Sequence, residues 1–268
     1  MIKNPTSLIS YNNKNYSLAG YSRNDYIFKK IIKSRSFYDI RTLEKIRFLN
    51  LSGTYIDIGA NIGNHAIYFL NECTTETVIA IEANIDLIPI LRRNIKENNF
   101  QNKDCFILNY LISTYDKAYF FTEEEKNNIG MSFSSPKMIE GRNFEVLNGI
   151  SLDKAIGGIY DFKNIKLLKI DVEGQELDVL KSGEKLILRH HPFICLEIFP
   201  ENYEQVNNYL EKQSYRFLDK NYLNYIYGYK YNFQFIYLKC KKKILEFKKT
   251  ISRNIKKLKK FLLMHRYK

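Results

Sequence analysis

Residues 54–63, Thr-Tyr-Ile-Asp-Ile-Gly-Ala-Asn-Ile-Gly, constrain the fold of this chain more than any other stretch. A short β-branched apolar run carries Asp57 near its end, turns through Gly59 and Gly63, and enters a helical pattern. Gly59 can take backbone angles barred to other residues, and its missing side chain leaves room for a ligand beside the main chain. The helix after Gly63 aims its unsatisfied N–H groups back at the turn. In an α/β sheet this arrangement makes a nucleotide-type crevice at the carboxyl end of a strand.

The pattern recurs. Thr77–Ile81 runs into Glu82, Lys166–Ile170 into Asp171, and Phe193–Leu196 into Glu197. None of these runs alternates strictly, as expected of strands buried on both faces, and each precedes a helical pattern. Four strands thus bring carboxylates to one edge. Any one acid is as well explained as the cap of the helix behind it. Glu82 and Glu197 are not placed as obvious caps, so for the four together that explanation is weaker.

The chain is long enough, at 268 residues, for one large α/β domain with its own core. Its cysteines, Cys73, Cys105, Cys195 and Cys240, have no paired spacing, which argues against a disulfide framework or a zinc site and for a reducing compartment. The amino-terminal residues lack the apolar stretch of a leader, and no segment is long and apolar enough to span a bilayer, so the expected location is cytoplasmic. The net charge of +13 is unevenly placed: from Lys239 onward 13 residues are basic and one, Glu246, is acidic. The other 29 basic and 28 acidic residues leave the body near neutral, so the basicity is no nucleic-acid footprint on the fold.

Three segments follow: an extension over 1–35 that is polar and Tyr/Asn-rich with a basic helix near Tyr26–Lys33, a body over 36–240, and a tail over 241–268. In the body, helices are expected over Phe37–Leu49, Asp86–Asn98 (with Pro89 in its first turn), from Ser151 to Gly157-Gly158, up to Ser182-Gly183, and over Tyr203–Gln213. Further strands are expected over Cys105–Leu111, Lys117–Phe121, Tyr215–Leu218, Tyr225–Tyr229 and Phe233–Leu238, the last three antiparallel. Glu123–Gly141 reads as a loop or a lid over the crevice. The tail sets Ile244, Phe247, Ile251, Ile255, Leu258, Phe261 and Leu262 on one helical stripe among lysines. That is the composition of an interfacial helix on an anionic membrane, peripheral at its inner face, and equally of a helix packing on the body or a second subunit; nucleic acid is a weaker partner.

The segments Tyr55–His65 (YIDIGANIGNH), Leu168–Leu177 (LKIDVEGQEL) and Leu196-Glu197 resemble the FkbM family of S-adenosylmethionine-dependent methyltransferases. Phe37–Asp39, Leu111–Ser113 and Ser151–Asp153 are similar to further landmarks of that family, in order, so the likeness runs from about Phe37 to Leu238. It implies a class I methyltransferase fold: a Rossmann-like, mostly parallel seven-stranded sheet with a late antiparallel strand and helices on both faces. It implies S-adenosylmethionine as methyl donor and an oxygen acceptor on a sugar or other small natural product, here a glycan or glycolipid precursor.

On that likeness Asp57, Gly59, Ala60, Asn61 and Gly63 carry the methionine part of the donor. Glu82 takes the ribose diol, Ala83 and Asn84 flank the adenosine, and Asn109 and Leu111 contact adenine. Asp171 and Glu173 are candidates for the acceptor side, with Lys169 on the same strand face as Asp171 and placed to pair with it, and Glu197 nearby. Asp171, Glu173 and Glu197 are oxygen ligands of the kind Mg²⁺ uses, but three scattered carboxylates are a weak metal signal, and no metal residues are assigned. The competing reading makes Asp171 the cap of the next helix, with Glu173 and Glu176 favouring its positive end. His65 reads as a polar or packing residue, and no Ser–His–Asp order stands out. A dehydrogenase is disfavoured because the turn reads G-x-x-x-G and not G-x-G-x-x-G. The other open reading is a non-catalytic protein of this fold that docks through its tail.

Overall fold

A computed structural model describes residues 4–99, 101–121, 132–157 and 164–232. An amino-terminal hairpin, β1 (Thr6–Tyr11) and β2 (Lys14–Ala19), precedes helices α1 (Tyr26–Ser34) and α2 (Ile40–Leu49). The glycine turn then joins β3 (Thr54–Ile58) to α3 (Asn64–Glu72), followed by β4 (Thr77–Ile81), α4 (Ile88–Asn98) and β5 (Asp104–Leu108). Next come β6 (Leu111–Ile112), β7 (Lys117–Phe121), β8 (Phe133–Ser135), β9 (Glu145–Ile150) and α5 (Leu152–Gly157). The described chain ends with β10 (Ile165–Ile170), α6 (Glu176–Ser182), α7 (Glu184–His190), β11 (Phe193–Glu197), α8 (Tyr203–Lys212), β12 (Tyr215–Asn221) and β13 (Asn224–Tyr229).

The main sheet has seven strands in the order β12-β13-β11-β10-β3-β4-β5. β11, β10, β3, β4 and β5 are parallel, and β13 runs antiparallel to β11. β3 and β10 are buried along nearly their whole length, which explains their unbroken apolar sequences. From β3 the chain first builds toward β5 and later resumes on the other side at β10. That reversal opens a crevice at the carboxyl ends of β3 and β10, where parallel sheets bind ligands. A second sheet, β6-β9-β7-β8, forms from the segment after β5.

Two expectations need correction. The strand expected over Cys105–Leu111 stops at Leu108, and Leu111 starts a strand of the second sheet. The extension is more than a polar segment with a basic helix, because β1 and β2 bury Ile9, Tyr16, Leu18 and Ala19. Alternation was hidden there by tyrosine and serine. The free edge of β2 is closed by two asparagines of α4. Asn94 accepts from the Ala19 amide and donates to its carbonyl, both at 2.8 Å, and also donates to the Ile62 carbonyl at 2.8 Å. Asn98 does the same for Ser17, at 2.7 and 2.8 Å. Each side-chain amide thus stands in for a neighbouring strand, and Asn94 ties the hairpin to the glycine turn. Asn94→Ala leaves buried main-chain groups of Ala19 unpaired and should cost about 1–3 kcal/mol, read as a lowered thermal midpoint. An unchanged midpoint would refute the bracing role.

Among the described residues no helix is long and apolar enough to cross a membrane. The strand expected over Phe233–Leu238, the basic tail and residues 122–131 of the expected lid lie outside the described residues, while Phe133–Ser135 of that segment is strand β8.

Candidate active site

Gly59 sits at the switch point with φ +79°, and a Cβ there would lie 1.8 Å from the Asp171 carbonyl oxygen. The sequence suggests that its bare backbone admits a ligand. The structure adds that the chain after β10 fills the place of a Cβ, so Gly59 is also demanded by the join between β3 and β10, while its main chain still lines the hollows described below. Its amide and that of Ala60 donate to the Ile81 carbonyl at 2.9 and 3.0 Å. The turn is therefore pinned to β4. Asn61 then takes φ +50°, which asparagine tolerates better than most residues. This points its amide at Glu82 Oε2, 2.8 Å away. Glu82 Oε1 accepts from the Asn84 amide at 2.8 Å. Burial raises the Glu82 pKa, and these two amides pull it back toward ionisation. The Ala83 amide acts in the same sense, and the carboxylate, with about four acceptor sites, keeps capacity for an outside donor.

Two connected hollows meet at Gly59, Asn61, Asp171 and Glu173. One is lined by Glu82, Ala83, Tyr110, Leu111 and the apolar side chains of Ile81 and Phe120. The other, of about 270 Å³, has Ala60, His65, Glu197 and Asn224 on its walls. Of the residues expected to hold the donor, Gly59, Ala60, Asn61, Glu82, Ala83 and Leu111 line these hollows. Asp57, Gly63, Asn84 and Asn109 do not. Asn84 accepts from the Asp86 amide in the turn before α4, and Asn109 donates to the Glu82 and Ala83 carbonyls at 2.8 and 2.9 Å. Both hold the end of β4 in shape. Gly63 begins α3 at φ +89°.

Asp57 is wholly buried within β3, and neither carboxylate oxygen has a full hydrogen-bond partner. Burial pushes its pKa up to about 7 despite Lys169 close by. Lys169 is also wholly buried, and its Nζ meets Asp171 Oδ2 at 2.9 Å, the pairing the strand alternation predicts. Burial alone would lower the ammonium pKa, but the surrounding carboxylates raise it. For Asp171 burial is the largest single effect and acts upward, yet the charge and hydrogen bond of Lys169, with the Glu197 hydrogen bond, together outweigh it and hold the carboxyl below the usual range. The capping explanation of Asp171 fails: α6 begins at Glu176, whose own carboxylate accepts from the Gly174 amide at 3.0 Å. Glu173 turns into the crevice at φ +51°, an unusual conformation for glutamate.

Glu197 shares a hydrogen bond with Asp171, and burial together with that charge pushes its pKa up to about 9. Oxygens of Asp171, Glu173 and Glu197 lie within 4.8 Å of one another. They are hard ligands at a spacing one cation could bridge. Lys169 supplies the counter-charge of Asp171, and burial beside Asp171 favours the protonated form of Glu197. The unfolded pKa of a glutamate is about 4.3, so the folded chain holds a Glu197 proton that the unfolded chain lacks between there and about 9. Stability from this group is therefore lost as pH rises through that window. Glu197→Gln should gain in thermal midpoint over the unsubstituted chain as pH goes from 5 to 9; a difference independent of pH would count against the shared proton.

The sequence reading missed Tyr110 and Phe120 in the first hollow and Tyr26, Tyr38, Phe199, Tyr222 and Asn224 in the second. Tyr38 lies within the Phe37–Asp39 landmark and Tyr110 between Asn109 and Leu111 without having been singled out; the others sit on elements far apart in the chain, and no local motif announces them.

Residues 57–217, more than half the chain, match the methyltransferase FkbM domain. The chain belongs to the FkbM methyltransferase family. A relative named Methyltransferase 1, from the fungus Beauveria bassiana (strain ARSEF 2860), is 22% identical over 172 residues, 59% of this chain and 66% of its own length. Among solved structures, a methyltransferase FkbM from Methylobacillus flagellatus KT shares 17% identity, with 67% of this chain and 44% of that one covered and a TM-score of 0.46. TrmK of M. capricolum, solved with S-adenosylhomocysteine, shares 14% identity over 70% of this chain and 68% of its own, with a TM-score of 0.42. This chain thus spans less than two thirds of the fungal relative and under half of the M. flagellatus chain. The FkbM match takes in Gly59, Glu82, Asp171, Glu173 and Glu197 and leaves out Tyr26, Tyr38, Tyr222 and Asn224.

Proposed function

We propose that this protein is an S-adenosylmethionine-dependent methyltransferase that O-methylates a sugar hydroxyl of a glycan or glycolipid precursor. The observation that carries the reading is the continuity of the crevice, with Glu82 at one end and the carboxylates Asp171, Glu173 and Glu197 at the other. S-adenosylmethionine supplies a methyl group already activated by a positive sulfur. Glu82 accepts from the vicinal hydroxyls of the ribose, while Ile81, Leu111 and Phe120 cover the flat purine with apolar surface. The Gly59–Asn61 turn borders the methionine end and is held there by its amides, which are paired with the Ile81 carbonyl and Glu82. Among the charged groups of this junction carboxylates outnumber the single buried cation, Lys169, which suits a cationic donor better than a phosphate-bearing one.

Holding donor and acceptor aligned can supply roughly 7–11 kcal/mol of the barrier. A hydroxyl grows strongly acidic as it is alkylated, so the base need not be strong; it must be ionised and in place. Asp171 meets both conditions because Lys169 fixes its orientation and charge. It accepts the hydroxyl proton at its carboxylate, and Glu197, hydrogen-bonded to it, spreads the change over the pair. Calorimetric titration with S-adenosylhomocysteine tests the donor half; absence of heat at millimolar ligand refutes it. Mass spectrometry of cell-surface glycans with and without the active protein tests the acceptor half, with a 14 Da difference on a sugar as the expected result.

A further inference from the structure

Tyr222 violates two folding rules at once. It is 84% exposed, and it holds φ +54° in the two-residue turn between β12 and β13, a conformation costly for a bulky side chain. Asparagine or glycine would satisfy that turn better. Nothing in the packing rewards the ring, yet it stands on the wall of the second hollow. Tyr26, from the first turn of α1, is 48% exposed on the same hollow, with Lys30 Nζ 5.0 Å from its ring centre.

The interior of this hollow is polar and incompletely paired. His65 and Asn224 are each more than nine-tenths buried and line it. His65 Nε2 and Asn224 Oδ1 have no hydrogen-bond partner. Asn224 is oriented from its other side, its Nδ2 donating to Asp39 Oδ2 at 2.8 Å, so its carbonyl is fixed as an acceptor. Burial pushes His65 down to about 3 and keeps its ring neutral. Buried polar atoms left without partners are costly unless something supplies the missing bond.

Resting on the methyltransferase reading above, we infer that this hollow is the acceptor subsite for a pyranose ring, with Tyr222 and Tyr26 stacking on its C–H faces, Asn224 accepting from a hydroxyl and His65 Nε2 hydrogen-bonded to another. Aromatic rims around a polar core match a ligand that is apolar across its ring faces and studded with hydroxyls at its edge. A flat aromatic acceptor would stack as well but would leave Asn224 and His65 unanswered.

The test is saturation-transfer NMR on the full chain saturated with S-adenosylhomocysteine, using a panel of methyl pyranosides as probes. At least one should show ring-proton signals in the unsubstituted protein. Tyr222→Ala should reduce them at least fivefold and Tyr222→Phe should retain them, while calorimetric affinity for S-adenosylhomocysteine stays within twofold in both. If S-adenosylhomocysteine binds but no pyranoside gives a signal, or if Tyr222→Ala keeps it, the subsite is refuted and the donor reading survives. If S-adenosylhomocysteine itself fails to bind, the methyltransferase reading falls first.

Discussion

Glu82→Ala should weaken binding of S-adenosylhomocysteine at least a hundredfold in calorimetry. Two hydrogen bonds from the ribose diol to a carboxylate contribute about 1.5–3 kcal/mol each. At about 1.4 kcal/mol per tenfold, losing both exceeds the hundredfold mark. A second contribution is internal to the chain. Glu82 anchors the Asn61 and Asn84 amides at 2.8 Å each, so its loss frees the left-handed Asn61 and loosens the turn that faces the methionine end. Glu82→Gln separates the two effects. It keeps an oxygen for one amide but offers the diol one acceptor, and should lose about tenfold. If alanine and glutamine variants both bind within threefold of the unsubstituted protein, Glu82 does not hold the ribose.

The donor half of the crevice was legible because it is local. Strand, glycine turn and helix fall within the twenty residues from Thr54 to Cys73, and Glu82 follows one strand later. The pairing of Lys169 with Asp171 was legible for the same reason, two residues apart on one strand face. A second demand on the glycine turn was not legible: the place of a Gly59 Cβ belongs to the Asp171 carbonyl, a contact between residues 112 positions apart. The amino-terminal hairpin was hidden because its edge is satisfied by Asn94 and Asn98, which on α4 look like ordinary solvent-facing polar residues. Residues at i and i+4 on one helix face are recognisable as strand partners only once the strand is seen beside them. The aromatic rim was hidden more completely. Tyr26 and Tyr222 come from a helix and a hairpin nearly two hundred residues apart, in a chain with 21 tyrosines.

Asp171→Asn should leave affinity for S-adenosylhomocysteine within about threefold and lower turnover by about 10²–10⁴-fold, the range for losing a general base. Turnover is read as S-adenosylhomocysteine formed with an accepted pyranoside. Asparagine is the informative substitution because the partner is buried. Alanine would leave the Lys169 ammonium facing Asp57 with no hydrogen-bonded acceptor, a change that costs about 3–5 kcal/mol and mixes folding with chemistry. Asparagine keeps an oxygen toward Nζ while removing the site that takes the proton. Lys169→Met supplies the complementary measurement. Without the ammonium, burial acts unopposed on Asp171, its pKa rises, and the ionised fraction is reached only at higher pH. The acidic limb of the pH–rate profile should therefore move upward in Lys169→Met. An Asp171→Asn variant that turns over normally, or one that loses S-adenosylhomocysteine as severely as Glu82→Ala, would move the base elsewhere in the carboxylate cluster or put Asp171 on the donor side of the crevice.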